Sequence, residues 1–179
     1  MVFISGVHGV GKTYFCDKVK AKLDIDTFSA SKLISECKHG VFTNDKLIPD
    51  IDDNQQYLLI VVQELDLSTP NYLLDGHFCL LNAEGKVTRI PEQTFNALHP
   101  NAIVLLTEKP EVIAERRKLR DGIDHSTYEI RNFQEEEVAY ATEIAETLGI
   151  PIKISVGADD LDNTLDFVRA VIRRFKDGR

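Results

Sequence analysis

The sequence lacks long apolar runs, paired cysteines and any recognisable export signal. Its longest apolar stretch lies around residues 57–62 and is far shorter than the ~20 residues that a membrane-spanning helix needs. The three cysteines (Cys16, Cys37 and Cys79) form no C-x-x-C pair, which argues against a disulfide framework and a structural zinc site. The amino terminus has no basic region followed by an apolar one. We therefore expect reduced thiols and a cytoplasmic protein that is not anchored in a membrane.

Positive charge is also scarce, since the 179 residues carry a formal net charge of −8. Proteins that bind DNA or RNA need a basic surface to contact the phosphates, so we expect no nucleic-acid partner. A nucleotide site would need only a local group of cations. No internal repeat or low-complexity segment divides the chain, and its length favours one domain, which we predict to span residues 1–179.

The clearest motif is Gly6-Val7-His8-Gly9-Val10-Gly11-Lys12-Thr13, which fits the pattern G-x-x-x-x-G-K-[ST]. Its glycines allow a sharp backbone turn whose N–H groups point inward and bind phosphate oxygens. Lys12 adds positive charge for the outer phosphates, and the Thr13 hydroxyl can bind Mg²⁺. The His8 side chain is expected to point outward, because the backbone surrounds the phosphates. The predicted nucleotide-binding residues are Gly6, His8, Gly9, Val10, Gly11, Lys12, Thr13 and Tyr14.

The elements around this motif alternate between strand and helix. Apolar and β-branched runs predict strands at 2–5, 25–28, 72–75, 102–107 and 152–156, and a hairpin over 78–90 with its turn at 82–85. Helices are predicted over 12–22, 32–34, 54–67, 110–119, 126–148 and 159–175. The motif therefore lies between a strand and a helix, as a phosphate-binding loop requires. The apolar strands predict a parallel sheet of about five strands covered on both faces, hence a three-layer α/β fold.

A carboxylate at the end of an apolar strand is the second part that a Mg²⁺–nucleotide site needs. Protein-bound Mg²⁺ usually uses one or two carboxylates together with phosphate oxygens. Asp75 ends the run Tyr72-Leu73-Leu74 and, with Thr13, is the predicted metal ligand. The alternative is that Asp75 only caps a turn with the glycine that follows it. Glu108, which follows another strand, is the weaker candidate.

The only dense basic cluster is Arg116-Arg117-Lys118-Leu119-Arg120. Arg116 and Arg120 are four residues apart and share a helix face, and a glycine two residues later could act as a hinge. Phosphoryl transfer depends on positioning and charge stabilisation, so both arginines are predicted to be catalytic together with Lys12. They would belong to a lid over about residues 116–127. The alternative is a solvated helix face whose arginines pair with glutamates of the same helix.

These motifs together resemble the P-loop nucleoside monophosphate kinases, and the sequence is most similar to archaeal-type adenylate kinases and bacterial adenylate-kinase-like ATP-binding proteins. The stretches that carry the resemblance are ISGVHGVGKT, LLDGHFCLLNAEGKVTRIP and PNAIVLLTEKPEVIAERRKLRD. The resemblance implies a P-loop NTPase domain with strand order 2-3-1-4-5, the use of ATP and Mg²⁺, and a lid in which Arg116 and Arg120 contact the transferring phosphoryl group. It also implies an acceptor-side segment over about residues 29–67, facing Asp75-Gly76-His77.

Two arginines that hold the acceptor's phosphate in many of these kinases have no counterpart in this sequence. Lys32 is the only cation within residues 31–35, and the familiar D-G-F-P-R segment is replaced by Asp75-Gly76-His77-Phe78-Cys79. Lysine does not reproduce the bidentate phosphate contact of arginine. Arg89, on the returning strand of the hairpin, could substitute for a missing arginine; the alternative is that its role is structural. The acceptor-binding candidates are Ser31, Lys32, His77 and Arg89.

Three functions remain open, because a fold of this class does not separate them. The first is ATP- and Mg²⁺-dependent phosphoryl transfer to a nucleoside monophosphate, with small-molecule nucleotides as substrates. The second is a nucleotide-dependent switch or partner ATPase, for which the acidic stretch Asp50-Ile51-Asp52-Asp53 could be a protein contact, the alternative being a solvated region that caps the following helix. The third is a kinase with a non-nucleotide acceptor. The loop Val156-Gly157-Ala158 is a candidate for the base pocket.

Overall fold

A parallel sheet forms the centre of the molecule. The computed structural model describes residues 1–40, 51–69, 71–82 and 85–177. The strands are β1 Val2–Ser5, β2 Asp26–Ser29, β3 Tyr72–Asp75, β4 Cys79–Leu81, β5 Val87–Arg89, β6 Ala102–Thr107 and β7 Ile152–Val156. Five of them form a parallel sheet in the order β2-β3-β1-β6-β7. Numbered among themselves, these five strands read 2-3-1-4-5, so the predicted order and the α/β class are confirmed.

The remaining two strands, β4 and β5, form the predicted antiparallel hairpin, in which Cys79 lies opposite Arg89. Two residues of its predicted turn, Ala83 and Glu84, lie outside the described residues. The same holds for residues 41–50, and therefore for Asp50, which opens the acidic stretch considered as a protein contact.

Helices connect the sheet strands and cover both faces. They are α1 Lys12–Leu23, α2 Ala30–Gly40, α3 Ile51–Ser68, α4 Glu92–Leu98, α5 Pro110–Asp121, α6 Thr127–Leu148 and α7 Leu161–Asp177. Helices α1 and α7 contact each other and pack on one face of the sheet, whereas α6 and α4 pack together on the other. Among the described residues, no helix is long and apolar enough to cross a membrane.

Helix α4 is the one element of the described chain for which the sequence pattern made no prediction. It begins after Pro91 without a side-chain cap and ends at His99, whose backbone is left-handed with φ 47°. Helix starts are usually recognised by a capping Ser, Thr, Asp or Asn, and helix ends by Gly, so both signals are missing here. The seven residues are held by burial, because Thr94, Phe95 and Leu98 are buried.

An aromatic cluster beneath the sheet fixes the hairpin and α4 relative to β1. The ring of Phe3 on β1 lies 5.2 Å from that of Phe78 and 5.6 Å from that of Phe95, both in edge-to-face geometry. Phe78 and Phe95 stack at 4.6 Å, and Tyr140 of α6 closes the group. Burying each such ring stabilises the fold by about 1.5–3 kcal/mol. The loop between β3 and β4 is therefore rigidly placed beside the end of β1, where the candidate site lies.

Candidate functional site

The phosphate loop joins β1 to α1, as predicted. Gly6, Gly9 and Gly11 all have positive φ, at 143°, 82° and 116°. At Gly6 a Cβ atom would lie only 2.6 Å from the Leu106 carbonyl oxygen, so no larger residue fits. Helix α1 begins at Lys12 and has no acidic residue in its first turn. Its amino end therefore presents free N–H groups and the positive end of the helix dipole to an anion.

The ammonium of Lys12 lies inside this loop. Its Nζ donates a hydrogen bond of 2.6 Å to the Gly6 carbonyl oxygen. Burial lowers the pKa of Lys12, and the nearby carboxylates of Asp75 and Glu137 oppose that shift. A partly desolvated ammonium interacts more strongly with a phosphate than a fully hydrated one does.

Asp75 ends β3 at the same sheet edge, opposite Ile4 of β1 and Ser29 of β2. Its Oδ1 is buried and has no hydrogen-bond partner. Burial raises its pKa, against the effect of Lys12. The N–H of Gly76 donates to the Ile4 carbonyl at 2.9 Å, so the glycine is paired with backbone and needs no cap from Asp75.

These oxygen donors fit Mg²⁺ in the manner usual for nucleotide sites. Thr13 supplies a hydroxyl in the first turn of α1, and Asp75 supplies a carboxylate oxygen without another partner. No group of three or more His, Cys, Asp or Glu residues in the described part of the chain could hold a metal by itself. Such a site depends on phosphate oxygens and water for its remaining ligands.

Two histidines lie side by side at the mouth of the loop. The rings of His8 and His77 are 4.6 Å apart, and both residues line the cavity beside the loop, so the His8 side chain does not point away from the site as expected, although part of it is exposed. Burial and the charge of Lys12 lower the pKa of both, that of His77 to about 2. Both rings are therefore neutral near pH 7, and neither supplies positive charge to a phosphate.

Glu137 is a site residue that the sequence reasoning missed. It lies on α6, is 0% exposed, and accepts hydrogen bonds from the Ser5 hydroxyl and from the backbone N–H groups of Phe78 (3.0 Å) and Cys79 (2.7 Å). Burial raises its pKa, against the effect of these three donors. Ser5 directly precedes the phosphate loop, so this carboxylate ties the loop to the β3–β4 segment. The available signal was a glutamate within the apolar stripe of α6.

The basic cluster on α5 contacts the loop backbone. Arg116 Nη1 donates to the Val10 carbonyl at 2.9 Å and its Nη2 to Glu108 at 3.3 Å. Arg117, which was not predicted as a site residue, donates from Nε to the His8 carbonyl at 2.8 Å. Arg120 lines the cavity beside the loop and pairs with Asp121 at 2.6 Å. The contacts described for these arginines thus go to the loop, Glu108 and Asp121.

A cavity of about 750 Å³ extends from the loop towards α2, α3 and the hairpin. Its lining includes most of the residues predicted to be catalytic, metal-binding or acceptor-binding: Lys12, Thr13, Ser31, Asp75, His77 and Arg120. Two acceptor-binding candidates are elsewhere. Lys32 is exposed on α2, and Arg89 is held by Glu136 at 2.6 Å and Glu143 at 2.8 Å. Neither side chain lines the cavity.

A second cavity of about 450 Å³ meets the loop near Gly11 and Tyr14. Gly157 and Ala158, from the loop considered as a base pocket, line its far side. Gly11 lines both cavities. The loop therefore stands between two separate spaces, one on each side of the point where phosphates would bind.

Comparison with known proteins identifies a protein family that the chain matches. A family model described as AAA domain (AAA_17) matches residues 5–134. The match covers more than half of the chain and includes the whole phosphate loop. No curated protein sequence matches significantly.

Three solved structures resemble the whole fold. A gluconokinase from Sinorhizobium meliloti 1021 has 16% identity and a TM-score of 0.52, covering 99% of this chain and 93% of that one. An uncharacterized protein from Eubacterium ventriosum has 13% identity and a TM-score of 0.53, covering 99% and 98%. An unliganded sugar kinase from Janibacter sp. HTCC2649 has 14% identity and a TM-score of 0.54, covering 96% and 93%. At these identities the likeness concerns the fold.

Proposed function

We propose that this chain, which belongs to the AAA_17 family of AAA domains, transfers the γ-phosphoryl group of ATP to a small acceptor. The observation that carries the proposal is the pair of cavities on either side of the phosphate loop, about 450 and 750 Å³ in volume. The smaller has room for the nucleoside part of ATP beside Gly157. The larger, where Lys12 and Asp75 meet, has room for a second substrate next to the transferring group.

The residues around the loop have distinct parts in this mechanism. The backbone N–H groups of the loop bind the phosphates, and Lys12 exchanges the Gly6 carbonyl for phosphate oxygens. Thr13 and Asp75 would hold Mg²⁺, which supplies positive charge against the phosphate oxygens. Arg116 keeps the loop in place through the Val10 carbonyl. The acceptor oxygen attacks the γ-phosphorus in line, the bond to the leaving ADP oxygen breaks, and the proton of an attacking hydroxyl passes to water.

Arg120 is expected to act mainly in the transition state. Its ion pair with Asp121 is largely exposed, with the arginine side chain 58% accessible. Breaking such a pair costs little free energy, so Arg120 can leave Asp121 and bind the transferring phosphoryl group. Arg120→Ala should lower kcat by ~100-fold and change the Kd for ATP far less. Arg131→Ala, an exposed arginine on α6, serves as the control. Steady-state kinetics and calorimetric ATP titration measure the two effects, and equal turnover in Arg120→Ala and wild type would remove Arg120 from the mechanism.

The resemblance to adenylate kinases implies a nucleoside monophosphate as the acceptor, but the two arginines that hold its phosphate in those kinases are missing from this sequence, so the proposal names only a small acceptor. Two of the similar structures are named gluconokinase and sugar kinase, so kinases with this fold are not restricted to nucleotide acceptors. These names support a small-molecule acceptor in general. A switch or partner ATPase, the remaining alternative, does not require an acceptor-sized cavity next to the loop.

An acceptor screen with ATP and Mg²⁺ tests the proposal. ADP release is followed with nucleoside 5′-monophosphates, the corresponding nucleosides, and sugars and polyols, each against a sample without acceptor. Phosphoryl transfer predicts at least one acceptor that raises the rate well above this basal value, together with a phosphorylated product detectable by mass spectrometry. The same slow ADP release with every acceptor would contradict transfer and favour the partner ATPase, whose association with another protein a pull-down with ATP can then test.

A further inference from the structure

We propose that the acceptor is an uncharged molecule that carries a hydroxyl group on an apolar or aromatic body, and that it bears no phosphate of its own. This inference rests on the proposed phosphoryl transfer and concerns the larger cavity alone. It is carried by three observations on the cavity wall: where the cations are, which neutral polar groups face the acceptor, and how much of the wall is apolar.

The cations of the described cavity wall all belong to its nucleotide end. They are Lys12, bonded to Gly6 in the loop, and Arg120, paired with Asp121. Both are used by the ATP phosphates in the proposed mechanism. A phosphate on the acceptor needs its own charge-assisted partners, which in proteins are usually arginines that bind it in bidentate fashion. The described wall offers none for this purpose, and the carboxylate of Asp75 would repel a second phosphate.

Arg89 could reach the cavity only by leaving favourable contacts. Its guanidinium is bonded to Glu136 and Glu143 and lies over the ring of Tyr140 at 4.6 Å. The two ion pairs and the cation–π contact reinforce one another at a single side chain. Arg89 therefore stabilises the packing of the hairpin against α6. Its role is structural, and it does not bind the acceptor.

The polar groups that face the acceptor are neutral. They come from the end of β2, from α2, α3 and α4, and from the segment after β3: Ser29, Ser31, Ser35, Asn54, Gln55, Thr94 and the neutral His77. The Ser29 and Ser31 hydroxyls are 3.0 Å apart, and Asn54 Oδ1 is buried without a hydrogen-bond partner. Such hydroxyl and amide groups bind alcohols and uncharged N–H groups well, and the unpaired oxygen of Asn54 calls for a donor on the ligand.

The rest of the acceptor wall is apolar. Leu58 comes from α3, Leu80 from the hairpin and Phe95 from α4, and Ile34, Ile90 and Leu98 complete this side. A small polyol has no apolar surface to bury there, whereas an aromatic or aliphatic body does. An unphosphorylated nucleoside, with its planar base and ribose hydroxyls, has both properties and is therefore the probe of choice.

Matched pairs of acceptors test the inference. ADP release with Mg²⁺ and ATP is measured for each nucleoside and its own 5′-monophosphate, which differ only in the phosphate, with glucose and glycerol as acceptors without an apolar body. We expect kcat/KM to be at least ~10-fold higher for nucleosides than for monophosphates. Preference for monophosphates, or for the sugar and the polyol, would overturn this inference while leaving phosphoryl transfer intact. Basal ADP release with all of them would overturn the transfer proposal itself, and this inference with it.

Ser35 allows a gain-of-function test at an exposed position of the cavity wall. Ser35→Arg should raise kcat/KM for monophosphates relative to nucleosides by ~10-fold, because it supplies the missing charge-assisted contact. Ser35→Gln adds comparable length without charge and should leave the ratio unchanged. Lys38 and Lys46 have side chains outside the described part, so the Lys38→Ala/Lys46→Ala double variant is included. A loss of monophosphate turnover in that double variant would show an acceptor phosphate being bound and would overturn the inference.

Discussion

Replacing Lys12 with alanine is expected to abolish ATP turnover, lowering kcat by at least ~10²–10³-fold. The Lys12 ammonium is the cation already inside the loop, 2.6 Å from the Gly6 carbonyl oxygen. Because it is partly desolvated, it offsets the charge that develops on the phosphoryl oxygens more effectively than a surface lysine could. Initial rates with saturating ATP and Mg²⁺, in the presence of the best acceptor from the screen, measure the loss.

The same variant should keep its fold. Removal of Lys12 deletes one hydrogen bond and relieves the cost of burying an ammonium, but it also takes the cation away from the Asp75 and Glu137 carboxylates, so the free energy of unfolding should fall by about 1–3 kcal/mol while the protein stays folded. Lys20→Ala is the matched control, since Lys20 lies on the same helix with a side chain that is 65% exposed and a loose contact to Asp26. Turnover at the wild-type rate in Lys12→Ala, or a loss of turnover that merely follows unfolding in urea, would contradict this role.

The strands of the sheet could be predicted because their signal is local. Four of the five sheet strands have the predicted limits: β1, β3, β6 and β7. Strands β1, β3 and β6 are short, largely buried apolar runs, and such a strand needs no information beyond that run and the turn residues that flank it. Strand β7 is a partly exposed edge strand, and its alternating β-branched residues together with the preceding Pro151 give an equally local signal. The phosphate loop is equally local, because the positive φ angles of its glycines and the following helix are properties of consecutive residues.

The contacts around the loop could not be predicted in the same way. Glu137 is separated from Phe78 by 59 residues along the chain and from Ser5 by 132. Only the packing of α6 beneath the hairpin brings them together, and helical periodicity shows only that residue 137 faces inward. Arg117 was missed because spacing along α5 favoured Arg116 and Arg120. The loop carbonyls of Val10 and His8 in fact bind the adjacent arginines 116 and 117.

The second prediction concerns this buried carboxylate. Glu137→Ala should lower the free energy of unfolding by about 3–5 kcal/mol, because the N–H groups of Phe78 and Cys79 and the Ser5 hydroxyl lose their acceptor in a fully buried site. Glu137→Gln should cost less, about 1–3 kcal/mol. The glutamine keeps one oxygen as an acceptor, and only its NH₂ group is placed against a backbone or hydroxyl donor that it cannot bind. Urea denaturation followed by circular dichroism measures both values. Glu135→Gln, two residues away and exposed, controls for the loss of one surface charge.

The pH dependence separates a titrating buried acid from a mere packing defect. Burial raises the folded-state pKa of Glu137 above its ordinary value. The folded protein therefore still holds this proton at pH values where the unfolded chain has released it. The stability that Glu137 contributes is complete below the unfolded pKa and is lost as the pH rises through the folded one. Glu137→Gln cannot titrate, so its stability deficit relative to wild type should shrink as the pH rises through that window. A deficit that stays constant or grows with pH would mean that residue 137 acts only through its shape.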